Sequence, residues 1–163
     1  MTTIRPFTSA DRAACLALFD SNVPEFFLPQ ERAEFEAWLG QPFDSGESGE
    51  YFVLEDGGKV VACGGVWLVT EENEPRAGLS WGMVARGAHR QGYGSALLRF
   101  RLRRLRELGV REVHLDTSQH TAAFYARFGF REVRRVQGGY GPGLDRVDMV
   151  AGSSGEDRSI LAR

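Results

Sequence analysis

The strongest constraint on the fold is a strand, a glycine-bearing turn, a helix and a second strand in direct succession between residues 79 and 116. Leu79-Ser80-Trp81-Gly82-Met83-Val84 reads as an extended run, and a short loop then leads to Gln91-Gly92-Tyr93-Gly94-Ser95. From Tyr93 to about Leu108, Leu98, Leu102 and Leu105 fall at i, i+4 and i+7, with Leu97 and Leu108 widening the stripe. That is the period of an amphipathic helix, and Gly109 is its stop. Val110 to Asp116 then alternates as a strand through Val110, Val113 and Leu115. Two strands joined by a helix of this length need a crossover, so the second runs parallel to the first. A helix start presents unpaired N–H groups and the positive end of the dipole, which suits a phosphate. Gly92 and Gly94, without Cβ atoms, let the backbone approach one. The same Gly-x-Gly also marks an ordinary turn, so its meaning depends on its surroundings.

Those surroundings read in order as follows. Thr3 to Phe7 is a short strand, with Pro6 suited to a sheet edge. Thr8 or Ser9 opens a helix through about Phe19, and Pro29-Gln30-Glu31 opens a second that ends at Gly40. Tyr51 to Glu55, Lys59 to Val69 and Ala77 to Val84 form an antiparallel meander, with Asp56-Gly57-Gly58 as a hairpin turn. Gly64-Gly65 inside the middle strand marks a bulge or a close backbone approach. After the crossover, Thr117 or Ser118 caps a helix over 119–128 and Gly129 stops it. Phe130 to Val136 is a strand, Gln137 to Gly143 a glycine-rich loop and Asp145 to Val150 the last strand. Residues 1–150 are expected to form a single domain, with 151–163 a polar tail.

Composition narrows the function. The net charge of −2 provides no global basic field for nucleic acid or an anionic membrane. Arg99, Arg101, Arg103, Arg104 and Arg106 crowd one helix, but no aromatic residues interleave them, so they read as a solvated face. An arginine-faced nucleic-acid binder is the competing reading. No apolar run approaches the roughly 18 residues of a membrane span, and the N-terminus has no secretory pattern, which points to the cytoplasm. Cys15 and Cys63 lack metal-ligand spacing and read as buried, reduced thiols.

Three stretches together resemble the GNAT family of acyl-CoA-dependent N-acetyltransferases. Gly82-Met83-Val84 is similar to the strand end that binds the acetyl and pantetheine portion through backbone groups. His89-Arg90-Gln91-Gly92-Tyr93-Gly94, running on to Ser95, is similar to the family's pyrophosphate loop. His89 stands where that loop has Gln or Arg, and Arg90 or Arg86 can compensate. Phe124-Tyr125-Ala126-Arg127-Phe128-Gly129-Phe130 is similar to the family's Tyr-x-x-x-Gly-Phe signature. Ser118 replaces the family's frequent Asn, and its hydroxyl can cap the helix or contact pantetheine. The resemblance covers roughly residues 3–150.

It implies an α/β (α+β) fold of three layers. A central mixed, mostly antiparallel sheet of about seven strands, with a splayed parallel pair, is flanked by four helices. It implies acetyl-CoA as cosubstrate, no metal, and a primary amine of a small molecule or peptide as acceptor, in a monomer or homodimer. Backbone N–H of Met83 or Val84 would hold the thioester oxygen, and Phe124 and Ser118 would flank the cofactor. Tyr125 would protonate the leaving thiolate, because a phenol of pKa about 10 matches its basicity. Tyr125 also reads as a packing residue beside Phe124. Glu25, Glu72, Asp116 and His120 are candidates for the base. His120, at a helix start that favours the neutral imidazole, is equally a solvated or hydrogen-bonded side chain. Phe26, Phe27, Trp67 and Trp81 read either as acceptor-pocket walls or as core. The rival to catalysis is an acyl-CoA-binding sensor or regulatory module.

Overall fold

The computed structural model describes residues 1–43, 49–69 and 76–152. Its seven strands form one sheet in the order β1-β2-β3-β4-β5-β7-β6. The strands are β1 (Thr2–Pro6), β2 (Glu50–Asp56), β3 (Lys59–Val69), β4 (Arg76–Val84), β5 (Val113–Thr117), β6 (Arg131–Gly141) and β7 (Leu144–Ala151). The helices are α1 (Arg12–Ser21), α2 (Arg32–Leu39), α3 (Tyr93–Glu107) and α4 (Ala122–Ala126). Every neighbouring strand pair is antiparallel except β4 and β5, which are parallel as the crossover requires.

Strand alternation builds the layers. Tyr51 and Val53 of β2 meet Cys15, Phe19 and Phe35 of α1 and α2 on one face. Phe52 and Leu54, one residue out of phase, meet Leu97 of α3 on the other. Leu98, Leu102 and Leu105 continue the α3 contact over Val66, Leu79 and Leu115, and α4 packs on the same side. Cys15 and Cys63 are buried free thiols, and Cys63 together with burial pushes the Cys15 thiol up, so it stays protonated.

The N-terminal edge is fastened by charge. Arg5 of β1 donates to both carboxylate oxygens of Asp11 at 2.8 Å, and its Nη2 reaches Glu55 of β2 at 2.6 Å. The Arg5 bonds hold the Asp11 carboxyl below the usual carboxylate range, helped by the Thr8 N–H. A depressed carboxyl stabilises the fold above its ordinary pKa and loses that effect as pH falls through the depressed value. Asp11→Asn is accordingly expected to cost about 1–3 kcal/mol at pH 7. Urea unfolding should show the gap between variant and wild type closing in acid.

The structure departs from the sequence expectations at four places. The helix expected over 119–128 shrinks to Ala122–Ala126. Ser118 Oγ takes the His120 N–H, and Gln119 reaches out to Gly143 O and Asp145 N, so 118–121 is held as a turn. The glycine-rich stretch expected as a loop lies mostly in β6, which runs to Gly141 and pairs across a tight turn with Leu144. Asp145 Oδ1 accepts the Gly138 N–H, supporting the irregular register there. The last strand extends to Ala151, one residue into the stretch expected as tail. Finally, Arg101 is not on a solvated face: it is 3 % exposed. Residue 101 falls within the Leu97–Leu98–Leu102–Leu105 stripe, so the helical period turns it inward. Among the described residues no helix is long and apolar enough to cross a membrane. None of them forms a cluster of three or more His, Cys, Asp and Glu that could hold a metal.

Candidate active site

The parallel pair is joined only at Ala77 with Val113 and Gly78 with His114. Beyond that point β4 stays with β3 as far as Val84, and β5 stays with β7 as far as Thr117. The two strands therefore diverge, and a wedge opens between Leu79–Val84 and Leu115–Thr117. Its cause is visible in the β3–β4 register. Cys63 faces Met83 and Gly65 faces Ser80, so one residue of β3 opposes Trp81 and Gly82 of β4. This bulge bends β4 away from β5. Trp81 carries it at φ 40°, a left-handed conformation that is rare for a bulky side chain. Its indole packs with Phe27 and Phe35 at 6.1 and 5.1 Å between ring centres.

The bulge also makes a niche on the α3 face. A Cβ on Gly82 would lie 2.8 Å from Arg101 Nη2, and one on Gly64 would lie 3.0 Å from Arg101 Cζ. The two glycines thus admit the Arg101 guanidinium flat against β3 and β4. Among the described residues it makes a single long bond, 3.3 Å to Gly65 O, and its Nε has no partner.

At the open end of the wedge the backbone supplies donors. Ala85 N–H donates to Val61 O at 2.8 Å, toward β3. By alternation its neighbour Val84 directs its N–H and C=O the other way, into the wedge. The Val84 carbonyl accepts from Asn22 Nδ2 at 2.8 Å and stands 3.0 Å from His89 Nε2, which selects the tautomer with its proton there. The chain then turns through Arg90 (φ 67°) and Gly92 (φ 84°) into α3. Successive N–H groups around such left-handed residues converge as an anion nest at the positive end of a helix of 15 residues. A Cβ on Gly94 would lie 3.6 Å from both Phe124 and Val84, so α4 stands over this helix start.

Tyr125 projects from α4 into the cavity. Its ring packs edge-on to Phe124 and Phe130, at 5.1 and 5.9 Å, and its hydroxyl has no partner among the described residues. Ser118 is buried at the end of β5, 5 % exposed.

On the opposite side the α1–α2 segment and the β6–β7 hairpin meet. A Cβ on Gly141 would lie 2.4 Å from Leu28 and 2.7 Å from Gln30 Nε2, so the hairpin tip rests on that segment. Burial raises the Glu31 carboxyl above the ordinary range, and its bond from Leu28 N–H at 2.8 Å only partly offsets this. Asp116 accepts a hydrogen bond from Tyr140, whose phenol is pushed up by burial and by that carboxylate. Trp81, Phe26 and Phe27 wall the same space.

All of this borders one cavity of about 770 Å³. Among the described residues the buried polar side-chain atoms left without partners are Asn22 Oδ1, Trp38 Nε1, Ser80 Oγ and Arg101 Nε, and each of these residues lines that cavity. Buried polar groups are ordinarily satisfied, so this concentration marks a place built for a ligand. The residues expected from the sequence divide. Gly82, Met83, Val84, His89, Arg90, Gly92, Gly94, Ser95, Ser118, Phe124 and Tyr125 line the cavity. So do Phe26, Phe27, Trp67 and Trp81. Gln91 and Tyr93 stand outside its wall; the Tyr93 hydroxyl turns to Asp56 on β2. His120 is also outside, edge-on to Phe26 at 5.9 Å. Glu25 is paired with Arg86 away from the cavity, and Glu72 lies outside the described residues. Among the wall residues missed in the sequence are Glu31 and Arg101. Glu31 looks like an ordinary acidic residue in a helix's first turn, and Arg101 is hidden among neighbouring arginines.

The family model and the solved structures point the same way. The sequence profile described as "Acetyltransferase (GNAT) family" matches residues 14–130. No curated protein matches the chain. Among solved structures, a Desulfovibrio desulfuricans protein assigned to the GNAT family superposes with a TM-score of 0.78 at 19% identity, over 94% of this chain and 100% of that one. The Escherichia coli ribosomal-protein-S18-alanine N-acetyltransferase gives 0.73 at 24% identity, over 92% of each chain. The Brucella melitensis ribosomal-protein-alanine N-acetyltransferase gives 0.70 at 25%, over 91% of this chain and 98% of that one. At these identities the likeness establishes the fold.

Proposed function

Because this chain belongs to the GNAT family of acetyltransferases, we propose that it transfers the acetyl group of acetyl-CoA directly to a primary amine of a small molecule or peptide, with Tyr125 as general acid. The observation that carries this is the wedge itself, where an inward-facing strand end, an anion nest and a phenol without a partner among the described residues border one cavity. Acetyl-CoA supplies the activated acyl group. Residues 90–95 hold its pyrophosphate on the start of α3, and Ser118 and Phe124 flank its pantetheine arm. The Val84 N–H holds the thioester oxygen where negative charge develops, which favours the transition state over the ground state. Tyr125 keeps a proton on its Oη for the departing sulfur.

Glu31 is the base. It faces the acceptor side of the wedge, and a raised carboxyl is a stronger proton acceptor than an exposed one. Asp116 and Glu34 add negative charge that favours an incoming ammonium group. Since the Glu31 pKa is raised, its active, ionised form appears only above the ordinary carboxylate range. Activity should therefore rise with pH through that shifted value. Glu31→Gln is expected to flatten this limb and lower kcat/KM by about 10²-fold, read from pH profiles of amine-dependent CoA release. An unaltered acid limb would move the role to another group.

The reading as a whole is tested with an amine panel. Two structural neighbours are named for acetylating a ribosomal-protein alanine, so the panel includes alanyl-terminated peptides beside small amines. Amine-dependent release of CoA is the expected result. Tight acetyl-CoA binding without turnover on any amine would instead make the chain a sensor. Thermal stabilisation by NAD and not by CoA would overturn both.

A further inference from the structure

Arg101 is a buried cation without a counter-ion. Among the described residues no carboxylate pairs with it, its Nε is orphaned, and one 3.3 Å bond is its whole complement. Burying an unpaired guanidinium costs several kcal/mol in real proteins. Glycines at 64 and 82 nevertheless hold a niche for it, and it lines the cavity.

Its position excludes most anions. It lies eight residues beyond Tyr93, so it stands about 12 Å along α3 from the nest. It is on the α3 face, whereas Phe27, Trp81 and Phe35 belong to the face covered by α1 and α2. What remains within its reach is the strand end at Gly82–Val84. A strand advances about 3.3 Å per residue, so the niche at Gly82 is about 7 Å along β4 from Val84. A short acyl chain extending from a thioester held at Val84 toward the closed end of the wedge brings its far end to the guanidinium. Leu79 and Leu115 supply apolar walls for the intervening carbons.

Resting on the acyl-CoA reading above, we propose that Arg101 forms the end of the acyl pocket and that the site prefers an acyl-CoA whose acyl chain ends in a carboxylate, of the malonyl or succinyl class, over acetyl-CoA. The planar guanidinium offers two parallel N–H bonds to such a carboxylate, the pairing that arginine makes best. The transfer chemistry keeps its balance. The amine nitrogen forms a bond to the acyl carbon and the carbon–sulfur bond breaks. The amine proton goes to the base and the thiolate takes one from Tyr125. The distal carboxylate takes no part.

The test is isothermal titration of the whole protein with CoA, acetyl-CoA, malonyl-CoA and succinyl-CoA. One of the two carboxyacyl thioesters is expected to bind about ten- to a hundredfold more tightly than acetyl-CoA. Arg101→Met is expected to bring that ratio close to one. Gly82→Ala, whose methyl would meet Nη2, should lower it in the same direction. Wild-type protein that binds both carboxyacyl thioesters no better than acetyl-CoA overturns the proposal without recourse to any variant. A ratio that survives Arg101→Met does the same. If acetyl-CoA binds and is turned over in either case, only the acyl preference falls. If CoA and all its thioesters fail to bind, the acyl-CoA reading falls with it.

Discussion

Replacing Tyr125 with phenylalanine is expected to lower kcat by about 10²- to 10⁴-fold, with little change in the dissociation constant of acetyl-CoA. The substitution is unusually clean here. The Tyr125 hydroxyl makes no hydrogen bond among the described residues, so its loss leaves no buried group stranded. The ring contacts with Phe124 and Phe130 remain, so α4 should keep its place. What disappears is a proton at the position where the leaving sulfur needs one. Steady-state CoA release and titration of acetyl-CoA separate the two effects. A kcat within about threefold of wild type would make Tyr125 a packing residue and move the acid elsewhere.

The second large effect is expected at the nest. Gly92 caps α3 in the left-handed region at φ 84°, and a Cβ there would touch nothing within 4 Å. Space is therefore not what requires glycine at this position in the free protein; the backbone angle is. A β-branched residue there pays about 1–3 kcal/mol of strain or shifts the turn. The bound pyrophosphate then meets side chain where it needs bare backbone. Gly92→Val is expected to weaken CoA binding about a hundredfold or more, while Gly92→Ala should fall between the two. Titration with CoA measures both. Undiminished affinity in Gly92→Val would reduce the loop to a simple helix start.

How much of this was legible in the sequence follows from the range of the interactions involved. The leucine stripe of α3 and the short connections of the meander are local patterns, and they led directly to the parallel pair. The bulge at Trp81 was not legible, because it is defined by register against Gly64 and Gly65, more than fifteen residues away in the chain. Those glycines pointed to the right neighbourhood, but the extra residue lies on the partner strand. Arg101 could have been found from its phase within the stripe; its charge and its arginine neighbours argued the other way. The shortened α4 depends on Gln119 bonding to Gly143 and Asp145, and a helix propensity contains no such information. Glu31 was masked by its position in the first turn of a helix, where an acidic residue needs no further explanation.

The wedge has a consequence for association. A sheet ends in rows of unpaired N–H and C=O groups, and exposed rows recruit strands from other molecules. Here the outer edges are blunted, β1 by its five-residue length and Pro6, and β6 by Arg131, Glu132, Arg134 and Arg135. Where β4 and β5 part, two further edges arise, facing each other in the interior under the cover of α3, α4 and the β6–β7 hairpin. Beyond Gly78 and His114 they no longer pair with each other. A slender chain bearing its own amides can bridge them. The gap thus keeps backbone groups inside the sheet available to a ligand rather than to a partner strand of the same sheet.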